Sequence, residues 1–238
     1  AMNTKLIKKP KKLPLFKNLF PIINSPKTTE SDIVHYVHNK NVKTTRFVIL
    51  FKIPYNAFSN EKFKLTLVSN LLTRGLSSIL KRKLRSDLGL VYYVSSNQDI
   101  EYNKAYSCFN ISTEVDHEKI PIAIDSILGE LRKLKNKLIS TSQYNKLINT
   151  VNYDFAKRKY NNQLSYWANS YFFKTIWNRK TLKIKNIKKI YLKIKRKHIK
   201  EIIRKTFTKK TIKIIYSGPG KNLNKKILKL NNLKKFDT

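Results

Sequence analysis

Arg85 and Tyr92 lie seven positions apart and are the two side chains whose types and spacing could serve one chemical site. Arg85 falls in the last turn of a helical pattern and Tyr92 in the strand-like run that follows. A sharp helix-to-strand turn would bring a guanidinium fork and a phenol within reach of one ligand. The same spacing also fits a solvated arginine and a core tyrosine, and spacing alone leaves both readings open. Other chemistry finds less support. His35 and His38 stand three apart in a strand-like run, where odd spacing sends side chains to opposite faces, and the remaining histidines are His117 and His198. No H-E-x-x-H, H-x-x-E-H or cysteine pair occurs, so this chain alone carries no zinc motif. Cys108 sits in a strand-like run with no activating base indicated, which reads as a buried inert thiol. With five glycines in the chain there is no glycine-rich phosphate loop.

A helix and the strand after it must position Arg85 and Tyr92. Apolar residues recur at Phe63, Leu67 and Leu71 and at Val68, Leu72, Leu76, Leu80 and Leu84, a four-residue rhythm that predicts one long helix buried on one side. Ser59 or Asn60 can cap its start, and Gly89 offers a C-cap free of Cβ strain. The run LVYYVSSNQDI, which holds Tyr92, then has the β-branched and aromatic composition of a strand. It is expected to pair antiparallel with KAYSCFNISTEV across a loop at residues 101–103. Upstream, IVHYV and RFVILFKI read as strands, the second a central one, with a turn at Pro54, Asn56 and Ser59.

Downstream, Asp116 can cap a helix with Pro121 in its first turns and Ile120, Ile124, Ile127, Leu128, Leu131, Leu134 and Leu138 inward. A further helix starts at Ser142 and another covers residues 163–177, whose aromatics read as core rather than as a base-stacking surface. A lysine-laden helix with Ile187, Ile190, Ile194, Ile199, Ile202 and Ile203 inward precedes a closing strand, TIKIIYSGPG. Strands grouped apart from runs of helices indicate the α+β class. Three segments result: residues 1–30 as a basic extended arm, 31–220 as the domain, and 221–238 as a basic, frayed tail.

The 51 Lys and Arg against 14 Asp and Glu leave a net charge of +37, which attracts nucleic acid, anionic lipid or acidic protein. The excess is mostly lysine, accompanies abundant Asn, Ile and Tyr, and is spread over every segment. That pattern fits the codon bias of an AT-rich coding sequence better than a selected binding face. A single Cys excludes an intrachain disulfide and leaves the compartment open. No apolar run approaches the roughly 18 residues of a membrane span, so the chain is expected to be soluble or anchored through a partner. The N-terminal arm lacks the apolar h-region of a targeting peptide.

The stretch LLTRGLSSILKRKLRSDLGLVYYVSS resembles the second, zinc-free homologous half of M16 peptidases, the group of pitrilysin, insulinase and mitochondrial processing peptidase. Leu72, Gly75, Ser77, Ser78, Leu80, Arg85, Gly89, Tyr92, Val94 and Ser96 occupy the fixed places of that group's L-x-x-G-x-S-S-x-L-x-x-x-x-R-x-x-x-G-x-x-Y-x-V-x-S pattern. The likeness extends over roughly residues 30–215. It implies an antiparallel-leaning sheet with helices packed on one side, and a division of labour in which a partner half holds zinc through an inverted motif. This half then contributes Arg85 and Tyr92, in trans, to the substrate backbone and the developing oxyanion, with Ser77 and Ser78 as substrate-binding residues. The implied function is a non-catalytic subunit of a heteromeric zinc metallopeptidase, with zinc on the partner and no cofactor in this chain. Peptidase activity is then expected only in the heterodimer. Two alternatives follow from the same residues: a catalytically retired M16-like structural or assembly subunit, and a basic nucleic-acid-binding protein. The glycine-rich loop of the non-catalytic processing-peptidase subunit is absent, and the +37 charge disfavours basic presequences as substrates.

Overall fold

A computed structural model of the chain describes residues 33–55, 59–100, 107–161 and 184–237. The expected N-terminal arm, Asn56 of the first turn, the loop at 101–103 and the aromatic helix at 163–177 lie outside those residues. The described chain forms β1 (Val34–His38), β2 (Thr45–Lys52), α1 (Glu61–Thr73), α2 (Ile79–Lys81, continued as a wide π-helical turn over Arg82–Asp87), β3 (Val94–Asp99) and β4 (Cys108–Val115). After a 3-10 turn at His117–Lys119 come α3 (Ile120–Asn136), α4 (Thr141–Asn161), α5 (Ile184–Lys193), α6 (Arg196–Thr206), β5 (Ile212–Gly218), α7 (Asn224–Leu228) and α8 (Asn231–Lys234).

Five strands form one sheet in the order β1-β5-β2-β4-β3. Only β1 with β5 is parallel; β5 with β2, β2 with β4 and β4 with β3 are antiparallel. The closing strand thus inserts between the first two. Alternation along each strand puts Phe47, Ile49 and Phe51 of β2, Phe109 and Ile111 of β4, and Ile212, Ile214 and Tyr216 of β5 on one buried face. Arg46, Lys52, Glu114, Ser95 and Asn97 lie on the other, exposed face. A sheet covered on one side only reads as alternation, which is the α+β arrangement expected. The covering layer includes α1, whose Leu65, Leu67, Val68 and Leu72 are buried, α3 through Ile124, Ile127, Leu128 and Leu131, and α6 through Ile199, Ile202 and Ile203.

The free edge of the sheet at β3 is closed by hydroxyls. Ser96 donates its backbone N–H to Thr73 Oγ1 (3.1 Å), and its carbonyl accepts from Ser69 Oγ (2.8 Å), both on α1. Unpaired edge groups are thereby satisfied without another strand.

Several expectations are corrected by the elements themselves. The long helix is two helices, because Gly75 takes a left-handed φ of 78° and Leu76 turns outward, 79% exposed. The strand holding Tyr92 begins only at Val94, whose register partner Thr113 is the last pair of the β3–β4 ladder. The lysine-laden helix divides at Ile194 and Lys195 into α5 and α6. The tail beyond Gly220 is not frayed: α7 and α8 fold back and bury Ile227, Leu233 and Phe236, with Phe236 stacked 5.9 Å from Phe51. Asp125 accepts from Asn232 Nδ2 (2.8 Å) and Lys135 Nζ donates to Asp237 (3.1 Å), so polar clamps hold the same segment.

Some of the basic excess also has structural work. Arg196 Nε, Lys200 Nζ and Arg204 Nε donate to the carbonyls of Ile139 (2.6 Å), Asn136 (2.8 Å) and Lys135 (2.8 Å). One stripe of α6 thus places Lys200 and Arg204 on the last carbonyls of α3, where the helix dipole is negative, and Arg196 on the loop that follows it. Helix starts follow similar logic. α4 begins with a reciprocal box in which Gln143 N–H donates to Ser140 Oγ (3.1 Å) and Ser140 N–H donates to Gln143 Oε1 (2.9 Å). Asp116 does not cap the next helix and instead accepts from Lys119 at 2.6 Å. Among the described residues no helix is long and apolar enough to cross a membrane.

Candidate functional site

The segment from Gly75 to Ser96 is held by two glycines in left-handed conformations, Gly75 and Gly89 (φ 58°), one at each end of α2. Neither has an atom within 4 Å of where a Cβ would stand, so the backbone conformation, not lack of space, calls for glycine. Ser78 clips the first turn by donating its hydroxyl to the Gly75 carbonyl (2.8 Å). Gly89 closes the second turn, where Leu90 N–H reaches back to the Leu84 carbonyl (2.8 Å) in a wide C-terminal cap. Leu80 and Leu84 are wholly buried and hold α2 down. Val91 and Val94 are buried on either side of Tyr92 and fix the loop.

Within this frame Arg85 and Tyr92 meet. The Arg85 guanidinium carbon lies 5.2 Å from the centre of the Tyr92 ring, a cation-π contact. Tyr92 is 82% exposed, so it is neither a core residue nor a strand residue. Arg85 is also exposed, and among the described residues neither its N–H groups nor the Tyr92 hydroxyl has a hydrogen-bond partner. The contact holds the guanidinium over the ring while leaving its five donors unspent.

Ser77 is exposed, whereas Ser78 is 5% exposed with its hydroxyl committed to Gly75, so the two serines differ in what they offer a ligand. Of the ten pattern residues, seven have a structural task. Leu72, Leu80 and Val94 are core, Gly75 and Gly89 take left-handed turns, Ser78 clips a turn and Ser96 closes the sheet edge. Ser77, Arg85 and Tyr92 are the three without one.

A groove of about 570 Å³ adjoins this segment. It runs between the Arg74–Ile79 turn and α4, with Ser77 and Ser78 in its wall. Sequence reasoning missed it, because its second wall comes from a helix some 70 residues away. Arg74 is bound there in a fork to Asp154, with N–O distances of 2.6 and 2.7 Å. That hydrogen-bonded carboxylate pushes the Arg74 guanidinium further above its ordinary value.

The remaining titratable candidates have local partners. His38 Nδ1 bonds the Tyr36 hydroxyl (2.9 Å), and buried His117 bonds Thr45 through Nδ1 (2.9 Å) and the Lys221 carbonyl through Nε2 (2.7 Å). His198 takes part in the cap of α6. Among the described residues no three His, Cys, Asp or Glu side chains gather as a metal site, and the residues present do not fit zinc. Cys108 is half-buried rather than buried.

A family model described as the peptidase M16 inactive domain matches residues 5–151, more than half of the chain. No curated protein gives a significant match. Among solved structures, the peptidase M16 inactive domain from Pseudomonas fluorescens is similar with a TM-score of 0.67 at 11% identity, over 79% of this chain and 44% of that one. A protease from Helicobacter pylori gives 0.67 at 18% identity, over 80% and 45%. A chain of Complex III2 from Candida albicans gives 0.67 at 13% identity, over 85% and 49%. At these identities the likeness is one of fold. The chain spans about half the length of the structures it matches.

Proposed function

Because the chain belongs to the peptidase M16 inactive-domain family, we propose that it is the non-catalytic half of a heteromeric zinc metallopeptidase and works only beside a separate zinc-binding half. The observation that carries the reading is the Arg85–Tyr92 pair, exposed, stacked at 5.2 Å and without a structural task. Arg85 presents a fixed donor fork suited to the carbonyls of an extended peptide. Tyr92 presents a phenol O–H that can donate to an oxygen on which negative charge develops. Ser77 adds a third free donor on the same segment, and Ser78 acts by holding the turn. In this reading the metal and its ligands belong to the partner, and the described residues of this chain gather no metal-ligating cluster of their own.

Purification from the native source tests this reading, with identification of the co-purifying chain and zinc analysis of the complex. The reading expects a partner with an H-x-x-E-H motif and about one zinc per pair. A zinc-free assembly would contradict it. The likeness in fold to a chain of Complex III2 supports a second reading, a retired half that serves assembly. That reading expects a stable complex with no peptide hydrolysis.

A further inference from the structure

The geometry points to the groove between the Arg74–Ile79 turn and α4 as a subsite for four or five residues of extended peptide with an acidic side chain, an inference that rests on the peptide-binding role proposed above. Its floor is apolar: Leu71, Ile79 and Leu147 are 5–6% exposed. The α4 wall runs from Gln143 to Tyr153, about 15 Å at the ~1.5 Å rise per residue of a helix. An extended chain advances about 3.3 Å per residue, so that wall matches four to five residues.

The walls carry what a peptide backbone needs. Among the described residues the Lys146 ammonium, the Asn149 amide, the Tyr153 hydroxyl and the Ser77 hydroxyl have no partner. The Tyr153 ring, 63% exposed, adds an apolar face to the α4 wall. An apolar floor with convergent donors is the make-up of a ligand groove rather than of a solvated seam.

The charge in the groove selects the ligand. Arg74 lines it, but its charge is consumed by the two-bond fork to Asp154. Lys146 is left as the cation on offer, against no uncommitted carboxylate among the lining residues. A chain of net charge +37 steers acidic peptides towards it and basic ones away. Ser77 lines the groove and stands on the same Gly75–Ser96 segment that carries Arg85 and Tyr92.

The test is binding of two fluorescein-labelled hexapeptides to the full chain alone, followed by anisotropy. The peptides have the sequences Ala-Leu-Glu-Ala-Leu-Ala and Ala-Leu-Lys-Ala-Leu-Ala. The acidic peptide should bind about tenfold more tightly, and Lys146→Glu should abolish that preference. Lys210→Glu, an equal charge change outside the groove, should alter it less than twofold. Tyr153→Ala should weaken both peptides about threefold. Equal effects of Lys146→Glu and Lys210→Glu would overturn the subsite and reduce the preference to bulk charge. No binding of either peptide to the folded chain overturns it as well. Because the readout is binding to the isolated chain, failure here is distinct from failure of the Arg85–Tyr92 role, which is read in turnover of the complex.

Discussion

Replacing Phe236 by Ala should cost about 4 kcal/mol of stability, the middle of the 3–5 kcal/mol range for emptying a buried phenylalanine site. The ring is fully buried, 5.9 Å from Phe51, and its face lies 4.6 Å from the Lys135 ammonium. The aromatic pair and the cation-π contact each account for about 1 kcal/mol of that cost. The rest is transfer and cavity, since the surrounding Phe51, Phe109 and Phe207 cluster is anchored in the sheet and α6. Phe236→Leu keeps most of the volume and should cost about 1 kcal/mol. Equilibrium urea unfolding at neutral pH reads both values, with the slope unchanged between variants. Against a typical total of 5–15 kcal/mol the alanine variant would lie near the edge of stability. A loss under about 0.5 kcal/mol, the range of exposed positions, would refute the packing of the C-terminal segment into the core.

Other consequences follow from individual contacts. A Cβ on Gly220 would stand 2.0 Å from His117 Cδ2, so Gly220→Ala should cost about 2 kcal/mol in the same unfolding assay, and Gly220→Ala with His117→Ala should recover part of it. Arg74 is 43% exposed at the side chain and Asp154 28%, so solvent screening limits their fork to about 0.5–1 kcal/mol; Asp154→Asn should show that loss, and a double-mutant cycle with Arg74→Gln should recover it as coupling. Burial pushes the Tyr216 phenol above its ordinary value of 10.0. The unfolded chain then loses this proton first, so Tyr216 stabilises the fold fully below pH 10 and that contribution is lost as pH rises through the folded value. Tyr216→Phe should flatten the alkaline limb of a stability-pH curve, though it also removes the acceptor of the Leu223 N–H (2.6 Å) and lowers the neutral plateau by about 1 kcal/mol.

The α+β class, the central place of RFVILFKI and the antiparallel pairing of the two strands after the first helix were legible in composition and short separation, but the insertion of the closing strand between the first two was not, because that pairing spans some 170 residues. The break in the first helix was not, because its buried stripe resumes in register after Gly75. Leu80 and Leu84 keep the rhythm of Val68 and Leu72, and only Leu76 betrays the turn. Tyr92 lies outside the strand that the composition of LVYYV predicts: the β3–β4 ladder stops at Val94 and Thr113 although β4 runs on to Val115, and buried Val91 draws the chain before it toward the core. Ile227, Leu233 and Phe236 are three anchors among lysines and asparagines, too sparse to signal a packed segment, and the long-range clamps of Asn232 and Lys135 are invisible to periodicity. For the site, sequence supplied Arg85 and Tyr92 as a pair. Their stacking, and the contrast between free Ser77 and committed Ser78, needed the geometry.

If Arg85 reaches the reacting peptide in a complex with a zinc half, the turnover number of that complex should depend on it, and Arg85→Ala reads that dependence. Arg85 is exposed and bears no packing, so assembly and zinc content should stay at the native level. The turnover should fall about 10²-fold, as when one preorganised donor is removed from a developing oxyanion. Unchanged turnover in a complex that assembles normally and retains its zinc would remove Arg85 from the site.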